Sequence, residues 1–263
     1  MSLTEDSRVW IYAILMSDLT HKQVEILGID EQPIQWVSVG SLQIAATLDL
    51  GTEVPAKGLE RAFLDYESVL SQLCSSHDCL PIRFGTKMPV HQVRELLRNQ
   101  EKRFHDQLEQ FSGCCELSVR WAVPIHLLDQ PSALNHITKP KSTTTESGTS
   151  YLARRREQSR NTSAAERLAS ETGAKLQELH PAAIQKVLSS ARKLDSKSMS
   201  SAMPLSIEFE ANDFSDIIVI EIALLVLKSD AERIKSLMHT QHIHGQAPTL
   251  ISGPWPVYSF VGQ

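Results

Sequence analysis

The four cysteines of the chain could bind a metal ion, form disulfides or act as nucleophiles. Cys74, Cys79, Cys114 and Cys115 match no standard zinc-binding spacing. Nothing in the sequence indicates export to an oxidising compartment, where disulfides persist. We therefore expect reduced, mostly buried thiols and no zinc site.

Three histidines near the carboxyl end form the most metal-like cluster: His239, His242 and His244. On a helix the first two would share one face. No carboxylate or cysteine lies nearby in sequence to complete a coordination shell. The pattern favours a solvated loop, and we predict neither a metal nor a cofactor.

The segment PIRFGT, residues 81–86, is the most conspicuous one in the interior of the sequence. Arg83 at a strand end could bind a carboxylate or a phosphate. In the structural interpretation, Gly85 lets the chain turn after the strand while Phe84 packs in the core. We favour the structural interpretation.

Motifs of catalysis are missing from the sequence. It contains no nucleophile elbow, glycine-rich phosphate loop or zinc-protease motif, and its 11 glycines form no cradle. We therefore predict that the protein is not an enzyme. The alternative is a ferredoxin-like enzyme in which Arg83, His77 and Glu116 converge in a pocket.

The dense basic run of the chain consists of Arg154, Arg155, Arg156 and Arg160. Such a run could bind an acidic partner or a nucleic acid. No aromatic residues interleave with it to stack on bases, which favours a solvated helix face. We predict no nucleic-acid partner and keep an RNA-binding module that uses this basic helix as a second alternative.

The segment GPWPVYSF, residues 253–260, places two prolines around a tryptophan near the carboxyl end. Prolines fix φ, so this segment loses little entropy when it docks. We predict a rigid clasp whose aromatic side chains pack on the protein's own domains, with direct partner contact as the alternative. The residues of the clasp are Gly253, Pro254, Trp255, Pro256, Tyr258 and Phe260.

Length and composition describe an ordinary globular protein. The 263 residues are 41% hydrophobic and 22% charged, and the net charge of -5 gives no general attraction to nucleic acid. The longest apolar run, Ile217 to Leu227, is interrupted by Glu221 and is too short to span a bilayer, which takes roughly 20 residues. The first ten residues do not resemble a signal peptide. We expect a cytoplasmic protein without a membrane partner.

Hydrophobic periodicity predicts an N-terminal α+β domain over residues 1–128. Strand-like stretches alternate with two amphipathic helices, one ending near Cys74 and one that begins at Pro89 and stops at Gly113. Strands before, between and after two helices predict a ferredoxin-like sandwich. The predicted strands are residues 8–16, 34–40, 42–50, 79–85 and 116–123.

A polar stretch rich in Ser, Thr, Pro and Lys predicts a linker over residues 129–150. Residues 151–263 are predicted to form a second α+β domain with a long helical segment. Helical spacing continues to Leu194, and Pro181 is expected to divide or kink the helix. The C-terminal domain ends in the extended aromatic and proline-containing clasp.

Two strands and a short helix are predicted in the second half of this domain. The strands are residues 205–210 and 217–227, and the second is apolar enough to be central in its sheet. Ser229 and Glu232 have the spacing of a capping box, which would open the short helix.

Five segments occur in the order expected of the gas vesicle protein GvpL/GvpF family: VWIYAI, LPIRFGT, CELSVRWAV, GTSYLARRR and SGPWPVYSF. The chain resembles that family over essentially its whole length. Val257 departs from the double proline expected in the closing motif, and the serine-rich insert at residues 196–203 is idiosyncratic.

The resemblance implies an accessory protein of gas vesicle formation. Members of the family are similar in being minor structural components or assembly factors that contact the hydrophobic wall protein of the vesicle and other accessory proteins. The resemblance implies neither catalysis nor a cofactor. It places the protein in the cytoplasm, associated with the gas vesicle.

Overall fold

The computed structural model describes residues 3–17, 26–51, 58–124, 148–194, 217–243 and 245–261. The chain divides into two compact units. The first unit takes Met1–Glu116, Leu227–Ser229 and Pro254–Gln263, and the second takes Leu117–Val226 and Asp230–Gly253. The predicted α+β class is confirmed, since helices accompany two antiparallel sheets.

The first sheet contains five strands in the described part of the chain. Its order is β2-β3-β1-β4, and β5 also pairs with β1. The pairings that involve β1 and the β2-β3 pairing are antiparallel. The strands are β1 (Arg8–Met16), β2 (Gln35–Val39), β3 (Leu42–Leu48), β4 (Leu80–Pro81) and β5 (Lys87–Pro89).

Helix α1 (Leu59–Ser76) covers one face of this sheet. Its apolar residues recur every three or four positions, so they form one stripe that packs on Trp10, Tyr12 and Leu15 of β1. Tyr66 stacks on Tyr12 with ring centroids 5.4 Å apart. The buried stripe consists of Ala62, Tyr66, Val69, Leu70 and Leu73.

Helices α2 (Val90–Asn99) and α3 (Glu101–Gln110) follow β5. The predicted single helix between Pro89 and Gly113 is wrong in one respect, because Gln100 leaves helical geometry and separates the two. Pro89 precedes the first helical residue and has extended backbone geometry. Gly113, with φ of +67°, ends the second helix region as predicted.

The second sheet has the order β7-β8-β6-β9. Its strands are β6 (Cys114–Pro124), β7 (Ile184–Leu194), β8 (Ile217–Leu227) and β9 (Leu250–Trp255), and the helices between them are α4 (Gly148–Leu179) and α5 (Ala231–Met238). Strand β8 lies between two neighbours and is apolar on both faces, as predicted. None of the described helices combines the length and apolar character needed to cross a bilayer.

The prediction that helix continues to Leu194 is wrong. The helix ends at Leu179, before Pro181, and residues 184–194 form β7, which pairs antiparallel with β8 over its whole length. Apolar residues spaced by three and four imitate a helix here. Pairing with a central apolar strand satisfies the backbone groups of both strands, and this outweighs the local pattern.

The predicted capping box at Ser229 and Glu232 does not form. A 3₁₀ turn covers Lys228–Asp230, and α5 begins only at Ala231 with Asp230 in the capping position. The predicted strand at residues 205–210 lies outside the described residues. The predicted linker lies outside them up to residue 147, and residues 148–150 open α4.

Candidate functional site

The carboxyl-terminal clasp packs into the first unit through its second half. Val257 and Phe260 are each only 2% exposed. The backbone folds back on itself, because the Phe260 amide donates to the Val257 carbonyl at 3.1 Å and the Tyr258 amide to the Pro256 carbonyl at 2.7 Å. Residues 256–260 therefore form a compact turn with two apolar anchors.

Two carboxylates hold the polar atoms of this turn. The Tyr258 hydroxyl donates to Glu67 Oε1 at 3.0 Å, and Glu67 lies on α1. Ser259 donates its amide to Glu116 Oε2 at 2.8 Å and its hydroxyl to Glu116 Oε1 at 2.7 Å. Burial raises the pKa of Glu67, while the hydrogen bond from Tyr258 opposes that rise.

The phenols beside Glu67 stay protonated. Burial, together with the negative charge of Glu67 and the neighbouring phenol, raises the pKa of Tyr258 well above its ordinary value. Burial likewise raises the pKa of Tyr66, whose hydroxyl donates to the Ile82 carbonyl. Both hydroxyls therefore remain hydrogen-bond donors across the physiological pH range.

The first half of the clasp differs from the prediction. Trp255 was expected to be a packed anchor, but 40% of it is exposed, and Pro254 is exposed as well. Gly253 has φ of +113°, a left-handed value that favours glycine. The part of the motif that packs most closely is Val257 and Phe260, so the apolar anchor that sequence reasoning missed is Val257.

A cavity of about 250 Å³ lies in the first unit, beside the clasp. Trp255 and the prolines on both sides of it form part of the wall. Exposed residues of α1, Ser71 and Ser75, also line the cavity, so it opens to solvent. All four cysteines line the same cavity: Cys74, Cys79, Cys114 and Cys115.

The prediction of four reduced thiols is wrong for one pair. Cys74 and Cys79 form a disulfide, with their Cα atoms 5.8 Å apart. Cys114 and Cys115 are buried and are not joined in a disulfide. The five-residue separation is short enough for the end of α1 and the start of β4 to bring the first two sulfurs together, a signal that sequence reasoning underweighted.

Asp78 connects the loop between these half-cystines to two other segments of the first unit. Its carboxylate accepts hydrogen bonds from the Ser112 hydroxyl at 2.7 Å, the Gly113 amide at 3.0 Å and Lys228 Nζ at 3.1 Å. Lys228 also donates to the His77 carbonyl at 3.1 Å. No sequence signal could have found this network, because Lys228 lies 150 residues from Asp78.

The ionisation of Asp78 reflects these contacts. Burial opposes its charged form, but the hydrogen bonds from Ser112, Lys228 and Gly113 and the charge of Lys228 hold its pKa below the ordinary value of 3.8. Burial and the Asp78 charge raise the pKa of the Cys114 thiol, with Lys228 opposing the rise. Asp78 is thus a stable anion, and the thiol beside it is protonated at neutral pH.

The segment 81–86 has the geometry of the structural interpretation. Phe84 packs against Trp10, Phe63 and Tyr66 with centroids 5.3 to 6.1 Å apart. Gly85 has φ of +89°, and the Thr86 amide donates back to the Arg83 carbonyl at 3.2 Å, which closes a turn. Arg83 is exposed at this turn.

The pocket of the enzyme alternative does not form. His77 lines the cavity described above, but Arg83 and Glu116 do not. Glu116 instead binds Ser259, while Arg83 faces solvent. Among the described residues, no group of three or more His, Cys, Asp or Glu side chains could hold a metal ion, and His244 lies outside them.

The basic run lies in the first turns of α4. The side chains of Arg154, Arg155 and Arg156 are outside the described part of the structure. The solvated helix face therefore stays a prediction, and binding of an acidic partner or a nucleic acid stays its alternative.

The comparisons with known proteins agree with this fold. The chain is similar to the gas vesicle protein GvpF from Anabaena sp. PCC7120, with a TM-score of 0.65 and 16% identity over 98% of this chain and 97% of that one. It is also similar to GvpF from Microcystis aeruginosa, with a TM-score of 0.61 and 12% identity over 97% and 98% of the two chains. No curated protein matches the chain in sequence. Residues 8–262 match the family described as gas vesicle synthesis protein GvpL/GvpF, and the chain therefore belongs to the GvpL/GvpF family.

Proposed function

We propose that this protein is an accessory factor of gas vesicle formation that binds the hydrophobic wall protein, and with it other accessory proteins, while the shell is assembled. The observation that carries the proposal is the family match over residues 8–262. The role is one of binding and not of catalysis, and the protein acts in the cytoplasm at the growing vesicle. Its task is to shield apolar surface of wall subunits that would otherwise aggregate.

The first turns of α1 supply a surface suited to an apolar partner. Leu59, Phe63 and Leu64 are 56%, 45% and 54% exposed, although each is a large hydrophobic residue. Leu59 and Phe63 are four residues apart and so lie on one side of the helix. Phe63 rests edge-on against Phe84 at 5.3 Å, which fixes its ring while leaving much of it accessible. We assign the wall-protein contact to this surface, called the α1 apolar surface below.

Co-expression with the wall protein in a heterologous host tests the proposal. The tagged intact chain is expected to recover wall protein from the lysate. The double variant Leu59→Ser/Phe63→Ser is expected to lose most of that recovery. Its melting temperature is expected to fall only modestly, because Leu59 is 56% and Phe63 45% exposed, although Phe63 loses its contact with Phe84.

A matched control is available in the second unit. Leu250 is 41% exposed, so Leu250→Ser makes the same chemical change on a different surface and is expected to leave wall-protein recovery intact. If the folded intact chain recovers no wall protein, the proposed binding is wrong. If the double variant binds as well as the intact chain, the contact lies elsewhere and the α1 apolar surface is excluded.

A further inference from the structure

The disulfide between Cys74 and Cys79 closes a small ring at the edge of a solvent-open cavity. It joins the last turn of α1 to the residue before β4. The cavity of about 250 Å³ is large compared with the roughly 10–15 Å³ that one water molecule needs. Its wall includes two exposed residues, Ser71 and Ser75, together with both half-cystines.

We propose that Cys74–Cys79 is a reactive disulfide, at which low-molecular-weight thiols of the glutathione class enter the cavity and undergo thiol–disulfide exchange. This inference rests on the cavity and the cysteine pair and does not depend on a role in gas vesicles. It assigns a modification site, with Cys74 as the residue that carries the small thiol.

The exchange balances without any further reactant. The thiolate of the small molecule attacks the Cys74 sulfur, the bond between Cys74 and Cys79 breaks, and a mixed disulfide forms on Cys74. Cys79 leaves as a thiolate and takes up a proton. A second molecule of thiol attacks the mixed disulfide at the sulfur of the first, which releases the oxidised dimer of the small thiol and leaves Cys74 reduced.

The small thiol is expected to attack Cys74, because Cys74 is the more exposed of the two half-cystines. Cys74 is half-buried on the outer turn of α1, whereas Cys79 is 7% exposed. Access to the sulfur limits exchange rates, so the approach to Cys74 is the open one. Cys114 lines the same cavity but is a poor internal competitor, because burial and the nearby Asp78 charge keep its thiol protonated.

Breaking the ring affects the contacts of Asp78. The loop enclosed by the two half-cystines carries both the Asp78 carboxylate and the His77 carbonyl that bind Lys228. The same carboxylate holds the Gly113 amide at 3.0 Å. Reduction restores conformational freedom to this loop, and the hydrogen bonds at Gly113 and Lys228 weaken as a result.

The experiment uses the full-length protein purified without reductant. Alkylation after unfolding is expected to label two cysteines, Cys114 and Cys115, and four once a strong reductant is added. Incubation of the folded protein with reduced glutathione, followed by acid quenching and peptide mass mapping, is expected to show the adduct on Cys74 and a newly alkylatable Cys79. Hydrogen exchange at the Gly113 amide is expected to accelerate in the same sample.

Two variants separate the proposed chemistry from general effects of reductant. Cys74→Ser/Cys79→Ser is expected to melt about 4–8 °C below the oxidised protein and to be insensitive to glutathione. Cys114→Ser/Cys115→Ser is expected to keep both the adduct on Cys74 and the sensitivity to reductant.

Labelling of all four cysteines in the unfolded, unreduced protein would overturn the proposal, because no disulfide would be present. An adduct confined to Cys114 or Cys115, or a disulfide that reacts with glutathione only after the protein unfolds, would overturn it as well. All three outcomes are measured on the unchanged protein, so they do not depend on whether a variant folds.

Discussion

Ser259 donates both its backbone amide and its hydroxyl to the two oxygens of one carboxylate, that of Glu116, at 2.8 and 2.7 Å. Glu116 is 6% exposed on β6, whereas Ser259 is exposed, so the pairing is partly buried. Hydrogen bonds to a charged acceptor are stronger than neutral ones. The clasp is therefore fixed by directional bonds as well as by the burial of Val257 and Phe260.

Glu116→Gln is expected to lower the free energy of unfolding of the first unit by about 1.5–3 kcal/mol. The amide keeps one acceptor oxygen but turns an NH₂ group toward the second Ser259 donor. Denaturant unfolding measures the change. Ser259→Ala removes one of the two bonds and is expected to cost less, so an equal or larger loss in Ser259→Ala would contradict this account.

Phe260→Ala is expected to lower the free energy of unfolding by about 3–5 kcal/mol, because it empties a fully enclosed site. Trp255 is 40% exposed at the start of the motif, so Trp255→Ala is expected to lower the free energy of unfolding by only about 1 kcal/mol. Thermal unfolding of the two variants measures the difference, and Phe260→Ala is expected to have the lower melting temperature. A larger effect from the tryptophan would mean that the anchors of the clasp have been assigned to the wrong half.

The stability of the first unit is expected to fall in acid through Asp78. The folded protein holds the pKa of this carboxyl below its ordinary value of 3.8, so the unfolded chain takes up the proton first as the pH falls. The stabilisation is complete above 3.8 and is lost as the pH falls through the lower folded value. In Asp78→Asn, the melting temperature should therefore fall less steeply between roughly pH 5 and pH 2 than in the unchanged protein. Parallel profiles for the two proteins would show that Asp78 is not responsible.

In the second unit, Glu221 interrupts the apolar strand β8 and binds Arg120 on β6 through Nε at 2.9 Å and Nη2 at 2.7 Å. Glu221→Leu is expected to cost about 1–2 kcal/mol, discounted because both side chains are nearly one-third exposed. Adding Arg120→Met is expected to recover part of the loss, since no unpaired charge remains. A double-mutant cycle measures the coupling, and strictly additive losses would rule it out.

The sequence predicted elements well where a single pattern dominated. Ten apolar residues in β8 left one interpretation, that of a central strand, and the structure confirms it. In β7 the apolar residues also fit a helix, and only the partner strand, remote in sequence, decides between the two. Edge strands with one covered face carry no signal of their own that could resolve such a conflict.

The candidate site was less predictable than the fold because its contacts join distant residues. The closing motif is recognisable from its prolines and aromatics, yet nothing in it shows that Trp255 stays accessible while Val257 is enclosed. The Asp78 contacts with Ser112 and Lys228 depend on three segments meeting in space. Charge pairs of this kind have no spacing rule from which they could be inferred.

The first unit is assembled from three separate stretches of chain, and the last of them begins at Pro254. A ribosome adds about 5–20 residues per second, so the N-terminal stretch emerges well before the residues that complete it. Until residues 254–260 have been synthesised, the site that encloses Phe260 is empty and Ser259 cannot bind Glu116. Folding of the first unit is therefore complete only after residues 254–260 have been synthesised and have docked.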